Sequence, residues 1–332
     1  MTGRLRVGVV GAGNIASIAQ LPTLVQRADV ELAALVSRRD DPSALMRRWG
    51  FGSAYRSLED ALDAERLDAV FVLTPRMEHV PAVETALAAG VDVFCEKPLA
   101  TSTADAHRLA DLADAHARVL MVGFNRRFAP VYASGREAFG ESGAQFCVAQ
   151  KNRPGSEYRA TFENAIHMVD LLRWYCGGDA VEVSAHAAGE DVWQEDGIGA
   201  LVRFSTGATG ALVAARSAGR WSEGLDAYGA GRSVRIVAPD SVQITADGET
   251  TIRDMSSEAF GWATATSTFG FAGAVHHFLD RVRDRAQPLT SGREAATTQD
   301  LLDRILQAAG LPTEEQEGRG WTSHAVNRKE KR

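Results

Sequence analysis

At 332 residues the chain is long for one hydrophobic core, so two domains are expected. Hydrophobic residues make up 45% and charged residues 24%, as in ordinary globular proteins, and a net charge of −7 leaves no general basic face for nucleic acid. No segment approaches the ~18 continuous apolar residues of a membrane span, so neither a nucleic-acid nor a membrane partner is expected.

Residues 4–10 read as a buried strand. Arg4 and Arg6 ahead of an apolar stretch resemble a signal peptide, but Gly8, Gly11, Gly13, Asn14 and Ser17 interrupt it, and a first strand and turn fit better. Helical periodicity follows over 14–27, then an apolar strand over 30–37. Residues 69–73 and 91–95 are further short apolar runs, with a helical stretch, 78–89, between them. A helix over 104–117 and a strand over 119–122 complete the series. Strands alternating with helices predict an α/β domain, a doubly wound parallel sheet, over residues 1–122.

After Gly123 the pattern changes. Helices are expected over 128–139 and 163–174. Residues 181–254 carry repeated short strand-like runs with Gly-rich breaks, at 199–204, 209–216, 233–238 and 242–245, which suggest an antiparallel sheet. Helical patterns return at 271–285 and 294–307. The second domain is therefore placed at 123–332, and its last residues, crowded with Lys and Arg after an acidic stretch, read as a solvated polar tail.

Three cysteines, Cys95, Cys147 and Cys176, stand far apart with no metal-like spacing, so no metal site is expected. An odd, sparse count fits a reducing cytoplasm, the expected location. Cys95 reads as a buried, inert thiol.

Three motifs carry chemistry. Gly11-Ala12-Gly13-Asn14-Ile15-Ala16 follows a strand and opens a helix: Gly11 permits the tight turn, Gly13 lets a pyrophosphate approach, and Ala16 lets helix and sheet pack closely. The amides near Asn14 and Ile15 then point at phosphate. At the end of the second strand, where Asp or Glu would read a ribose 2′-OH, stand Ser37 and Arg38, which favour a 2′-phosphate. NADP(H) is thus favoured, with NAD(H) as the alternative. Thr74-Pro75 ends a strand at the ligand crevice, with His79 near the next helix start as a second cofactor-side candidate or a mere cap. Glu96-Lys97-Pro98 ends the next strand. Glu96 is suited to pair with Lys97 or hold a ribose hydroxyl, and Lys97, with its pKa lowered by desolvation and a nearby nicotinamide, to act on a substrate oxygen. His167 lies on an amphipathic helix with Glu163 and Asp170 on one side. Glu163 is a candidate to orient it or to touch the substrate, and Asp170 to bind an arginine. No second histidine is spaced for zinc. Arg127, Lys151 and Asn164 are candidates for substrate contacts. Lys151 is read at a strand-to-loop passage facing the cleft, and Arg127 alternatively as a packing residue.

Together with Gly123-Phe124-Asn125-Arg126-Arg127-Phe128, these residues resemble the Gfo/Idh/MocA family of oxidoreductases, in order and over nearly the whole chain. Lys151-Asn152-Arg153, Gly261-Trp262, Gly270-Phe271 and His277-Phe278 draw the likeness toward its MviM-like branch. The resemblance implies a Rossmann domain followed by an α/β domain with a large, mainly antiparallel open sheet that forms a homodimer or homotetramer. It also implies that Lys97 and His167 are the acid–base pair of a hydride transfer at a secondary alcohol or ketone of a sugar, sugar derivative or cyclitol. Glu163 falls where many members have Asp, Ser37 where the inositol dehydrogenases have Asp, and Arg76 where Asn is frequent. Two rival readings remain on the same fold: an NAD-dependent glycoside-cleaving enzyme, and a non-catalytic nucleotide or ligand sensor.

Overall fold

A computed structural model describes residues 3–155, 159–256 and 264–313. Gly261-Trp262 and the polar tail lie outside them. Six strands, β1 (Leu5–Val10), β2 (Val30–Val36), β3 (Ser53–Tyr55), β4 (Ala69–Val72), β5 (Asp92–Cys95) and β6 (Leu120–Val122), form a sheet in the order 3-2-1-4-5-6. Every pair is parallel. Every residue of β4 and β5 is buried, as expected of strands covered by helices on both faces. The strand order reverses between β1 and β4, which opens a ligand crevice at their carboxyl ends.

Eight strands build the second sheet: β7 (Phe146–Asn152), β8 (Ala180–Ala188), β9 (Gly197–Phe204), β10 (Thr209–Ala215), β11 (Ser222–Gly229), β12 (Arg232–Val237), β13 (Ser241–Ala246) and β14 (Glu249–Asp254). Their order is 14-13-12-11-7-10-9-8, antiparallel throughout except for β7 beside β10. One face is covered by the helix Ile166–Cys176, whose Leu171 and Leu172 join Ala149, Leu212 and Ala214 in the core. The other face is open and presents Phe146, Leu201, Val213, Tyr228 and Val237 to solvent.

The chain does not stay on one side of a boundary at residue 122. Helix Phe271–Asp284 returns to the first sheet, where Phe278 packs 5.2 Å from Phe71 and 5.7 Å from Phe94. Its neighbours Ala274, Val275, Leu279 and Val282 share that core. A doubly wound sheet needs cover on both faces, and this late helix supplies part of it. Helix Gly292–Ala308 likewise meets helix Thr103–Ala115, with His107 2.9 Å from Asp300. The expected helix over 163–174 is two pieces, a wide π-type turn at Ala160–Ala165 and an α-helix from Ile166.

Candidate active site

The turn after β1 is shaped for a dinucleotide. Gly11 has φ +84°, and its N–H donates to the Val36 carbonyl at 3.0 Å. A Cβ there would stand 3.0 Å from Thr74 Cγ2 and 3.1 Å from the Leu73 oxygen, so only glycine fits. At Gly13 no atom lies within 4 Å of where a Cβ would be, which leaves room for a pyrophosphate. Asn14 and Ile15 are exposed beside that space, and Ala16 is buried against the sheet. Thr74 Oγ1 and Gln20 Oε1 are buried side-chain atoms that lack a hydrogen-bond partner. Open space over the helix start, with unengaged polar atoms near it, suits a bound dinucleotide. Pro75 follows Thr74 at the exposed rim of the β4 end.

At the other end of this crevice, the Ser37 N–H donates to Tyr55 O at 3.0 Å, and the Ser37 hydroxyl accepts from the Arg39 amide at 3.3 Å. The exposed Arg38 guanidinium pairs with Glu78. Arg56, a cation the sequence reading did not single out, donates to the Arg38 carbonyl at 2.8 Å and reaches Asp40 at 3.2 Å.

His79 is buried beneath the site rather than at its surface. Its Nδ1 meets the Pro98 carbonyl at 2.7 Å and its Nε2 the Thr74 carbonyl at 2.9 Å. It therefore ties the ends of β4 and β5 together, and burial holds its pKa below the ordinary histidine value. Of the two expectations for it, a cofactor-side residue or a cap, its two main-chain contacts fit a satisfied core histidine.

Lys97 sits at the carboxyl end of β5, and its bond to Pro98 is cis. Its ammonium donates to the main-chain carbonyl of Glu163 at 3.1 Å. Burial lowers its pKa to about 8, against the opposing pull of Glu96 and Glu163. Glu96 receives Gln20 Nε2 and the Lys97 amide, and burial raises its carboxyl pKa to about 7. Cys95 is buried, and its thiol pKa is pushed up by the same cause.

His167 is 7% exposed, with its ring edge-on to Phe124 at 6.3 Å. Its Nδ1 is buried without a partner. Burial, and after it the positive charges of Lys151, Arg126, Lys97 and Arg153, hold its pKa well below the ordinary value. Both causes favour the neutral imidazole. The Glu163 carboxylate accepts the Arg159 amide at 3.0 Å and pairs with Arg76 at 3.2 Å. The π-type turn alters the helical spacing that would set Glu163 and His167 on one side.

The three substrate candidates are engaged by the fold. Arg127 is buried, holds Asp170 through two bonds of 2.7 and 2.9 Å, and donates also to Glu294 and Leu289 O. Asn164 donates to Lys151 O at 3.0 Å and accepts from Arg153 at 2.9 Å. Lys151 lies on β7, 1% exposed, 3.1 Å from Glu223. Burial lowers its pKa to about 7. Arg126 grips the same Glu223 from the turn Asn125–Phe128, with Nη2 at 3.0 Å, and the Tyr132 hydroxyl donates to it at 3.2 Å. Asn164 and Arg127 are thus framework residues, and Lys151 is part of a buried ion network behind His167. Sequence reasoning missed Glu223, and it named Arg126 and Arg76 without their partners, which come from distant elements.

Among the described residues no cluster of His, Cys, Asp or Glu is suited to a metal, and no helix is long and apolar enough to cross a membrane.

Comparison with known proteins agrees with this fold. Residues 5–124 fit the model of an oxidoreductase family with an NAD-binding Rossmann fold, and residues 148–236 fit the GFO/IDH/MocA C-terminal domain. The chain is 31% identical over 314 residues to the oxidoreductase YceM of Salmonella typhimurium, covering 92% of this chain and 98% of that one. It is 31% identical over 321 residues to an inositol 2-dehydrogenase of Acidothermus cellulolyticus, covering 88% and 87%. A dehydrogenase structure from Chromobacterium violaceum superposes with a TM-score of 0.84 at 20% identity, covering 93% and 96%. The chain belongs to the Gfo/Idh/MocA family of oxidoreductases.

Proposed function

We propose that the protein transfers hydride between NADP(H) and a secondary alcohol or ketone of a sugar, sugar derivative or cyclitol. The carrying observation is the bond from Lys97 Nζ to the Glu163 carbonyl at 3.1 Å, which sets the lysine at the end of β5 beside the turn that leads into the His167 helix. Burial lowers the pKa of both Lys97 and His167. When bound, the nicotinamide supplies or accepts the hydride. Gly11, Gly13 and the first helical turn would hold the pyrophosphate, Ser37 and Arg38 the adenosine ribose, and Thr74 and Glu96 the nicotinamide side.

Lys97 carries the proton at neutral pH and gives it to a ketone oxygen, or takes it from an alcohol in the reverse direction. His167, its Nδ1 unengaged, receives a hydrogen bond or proton from the reacting or neighbouring hydroxyl. Polyhydroxylated substrates suit such a site because each hydroxyl both donates and accepts. The inositol 2-dehydrogenase similarity supports that substrate class. The open face of the second sheet, with Phe146, Leu201 and Val213 exposed, supports a homodimer formed through it.

A panel of polyols, keto sugars and keto cyclitols, followed at the nicotinamide absorbance with NADPH or NADP⁺, tests the reading. Turnover of at least one member is expected. Tight NADPH binding without turnover across the panel would favour a sensor, and retained cofactor with glycoside cleavage would favour the lyase-like rival.

A further inference from the structure

Arg76 opens the short turn Arg76–Glu78 that follows β4, and Lys97 follows β5, the neighbouring parallel strand. Both reach the same residue of the second unit. Arg76 pairs with the Glu163 carboxylate at 3.2 Å, each side chain less than a fifth exposed, and its guanidinium lies 5.9 Å from the Phe162 ring centre. Lys97 takes the Glu163 main-chain carbonyl instead, at 3.1 Å. The second carboxylate oxygen receives the Arg159 amide at 3.0 Å. A carboxylate one residue's reach from a buried ammonium is its natural counter-ion. Here a guanidinium and an amide hold that carboxylate, and the ammonium rests on a neutral oxygen.

We propose that Arg76 is a positioning residue. It hangs the Ala160–Ala165 turn, and with it the His167 helix, from the end of β4, and it keeps Glu163 from trapping Lys97 in a tight ion pair. The inference rests on the reading of Lys97 as the proton carrier. An ammonium locked to a carboxylate releases its proton only at high pH, whereas one on a carbonyl, desolvated, remains able to exchange it near neutrality. Other titratable groups face Lys97 as well: Glu96 on its own strand end, His79 from the helix after β4, Arg126 from the Asn125–Phe128 turn, Lys151 and Arg153 from the β7 end, and His167 from its helix. The Arg76→Met, Glu163→Gln cycle leaves all of these in place.

The test is competitive acetylation of Lys97 with acetic anhydride across a pH series, read by mass spectrometry of digests, on the full chain. Calorimetric NADPH binding and a thermal melt accompany each variant. Arg76→Met raises the Lys97 midpoint by about half a unit or more, because Glu163 becomes its counter-ion. Glu163→Gln lowers it, and the double variant returns it close to the original value. Arg76→Lys keeps it near the original value, since a cation still holds Glu163. A purely structural Arg76 would alter the melt and leave the midpoint alone. If Arg76→Met fails to fold, Glu163→Gln and Arg76→Lys decide: an unmoved midpoint in the first, or a raised one in the second, overturns the proposal. A midpoint near the ordinary lysine value in the unaltered protein would instead overturn the acid–base reading itself. A normal starting midpoint near 8, unchanged in folded Arg76→Met, would overturn the role of Arg76 alone.

Discussion

Lys97 Nζ donates to the main-chain oxygen of Glu163 at 3.1 Å, joining the end of β5 to the turn that leads into the His167 helix. The lysine after β5 and the histidine's element are therefore held in register by a direct bond. His167 lies four positions after Glu163, so a shift of the turn moves both proton sites relative to each other.

The pH dependence of turnover follows from the lowered lysine pKa. Oxidation of an alcohol needs neutral Lys97, so kcat/KM for oxidation should rise with pH and flatten above about 8. Ketone reduction needs the ammonium and should fall through the same range. Opposite limbs in the two directions are expected from initial rates. Parallel limbs would assign the titration to another group.

Cofactor choice should favour NADPH over NADH. Ser37 and Arg38 stand where a ribose carboxylate would reject the 2′-phosphate, and a charge-assisted contact contributes ~1.5–3 kcal/mol, about tenfold or more. Arg38 is exposed and already paired with Glu78, so the preference should weaken with added salt. Ser37→Asp should reverse it. Calorimetry that finds NADH equal or tighter with the unaltered protein contradicts this assignment.

The buried network and the surface pairs should differ sharply in stability. Glu223 is 3% exposed and holds Lys151 and Arg126, so Glu223→Ala leaves two buried cations without their partner and should cost ~3–5 kcal/mol. Arg203→Ala removes a pair with Glu182 in which both side chains are more than half exposed, and should cost under ~1 kcal/mol. Glu223 lies well below the usual carboxylate range, held there by Lys151 and Arg126 against the cost of burial. Its contribution is present above the unfolded carboxylate pKa and declines as pH falls toward the folded value. Denaturant melts at pH 7 and at about pH 3 should therefore show the gap between Glu223→Ala and the parent narrowing in acid.

The elements legible in the sequence were those with a local signature. The Gly11–Gly13 turn shows itself by glycines placed between a buried strand and a helix, and Lys97 by an apolar run that ends in Glu-Lys-Pro. Helix Ser43–Trp49 has no buried residue, so it offers no amphipathic stripe to detect. Strand β7 alternates between exposed and buried positions and ends in polar residues, which hid Lys151 in what looked like a loop. The π-type turn at 160–165 shares its composition with an α-helix, so the side chains alone gave Glu163 the wrong neighbour. Arg126, Tyr132, Lys151 and Glu223 meet from four separate elements, and no spacing along the chain announces such a meeting. Asp170 and Arg127 are the milder case: the carboxylate was read as an arginine's partner, while the arginine itself was also read as a substrate contact.

Self-association should go through the open sheet face. Leu201→Lys together with Val213→Lys places two charges on adjacent strands of that face, both at exposed positions. Sedimentation at micromolar concentration should show a dimer or larger for the parent and a shift toward monomer for the double variant, with an unchanged melt of the monomer fold. A monomeric parent contradicts the assignment.

The most direct test of the hydride-transfer claim uses NADPH carrying deuterium at the transferable position, incubated with a panel of keto sugars and keto cyclitols. The account predicts deuterium at the new carbinol carbon of at least one product, seen by mass spectrometry. It also predicts that Lys97→Met and His167→Ala lower that turnover by about 10²–10⁴-fold while NADPH affinity stays within a few fold. Variants that fold, bind NADPH and deliver deuterium at the parent's rate would contradict it.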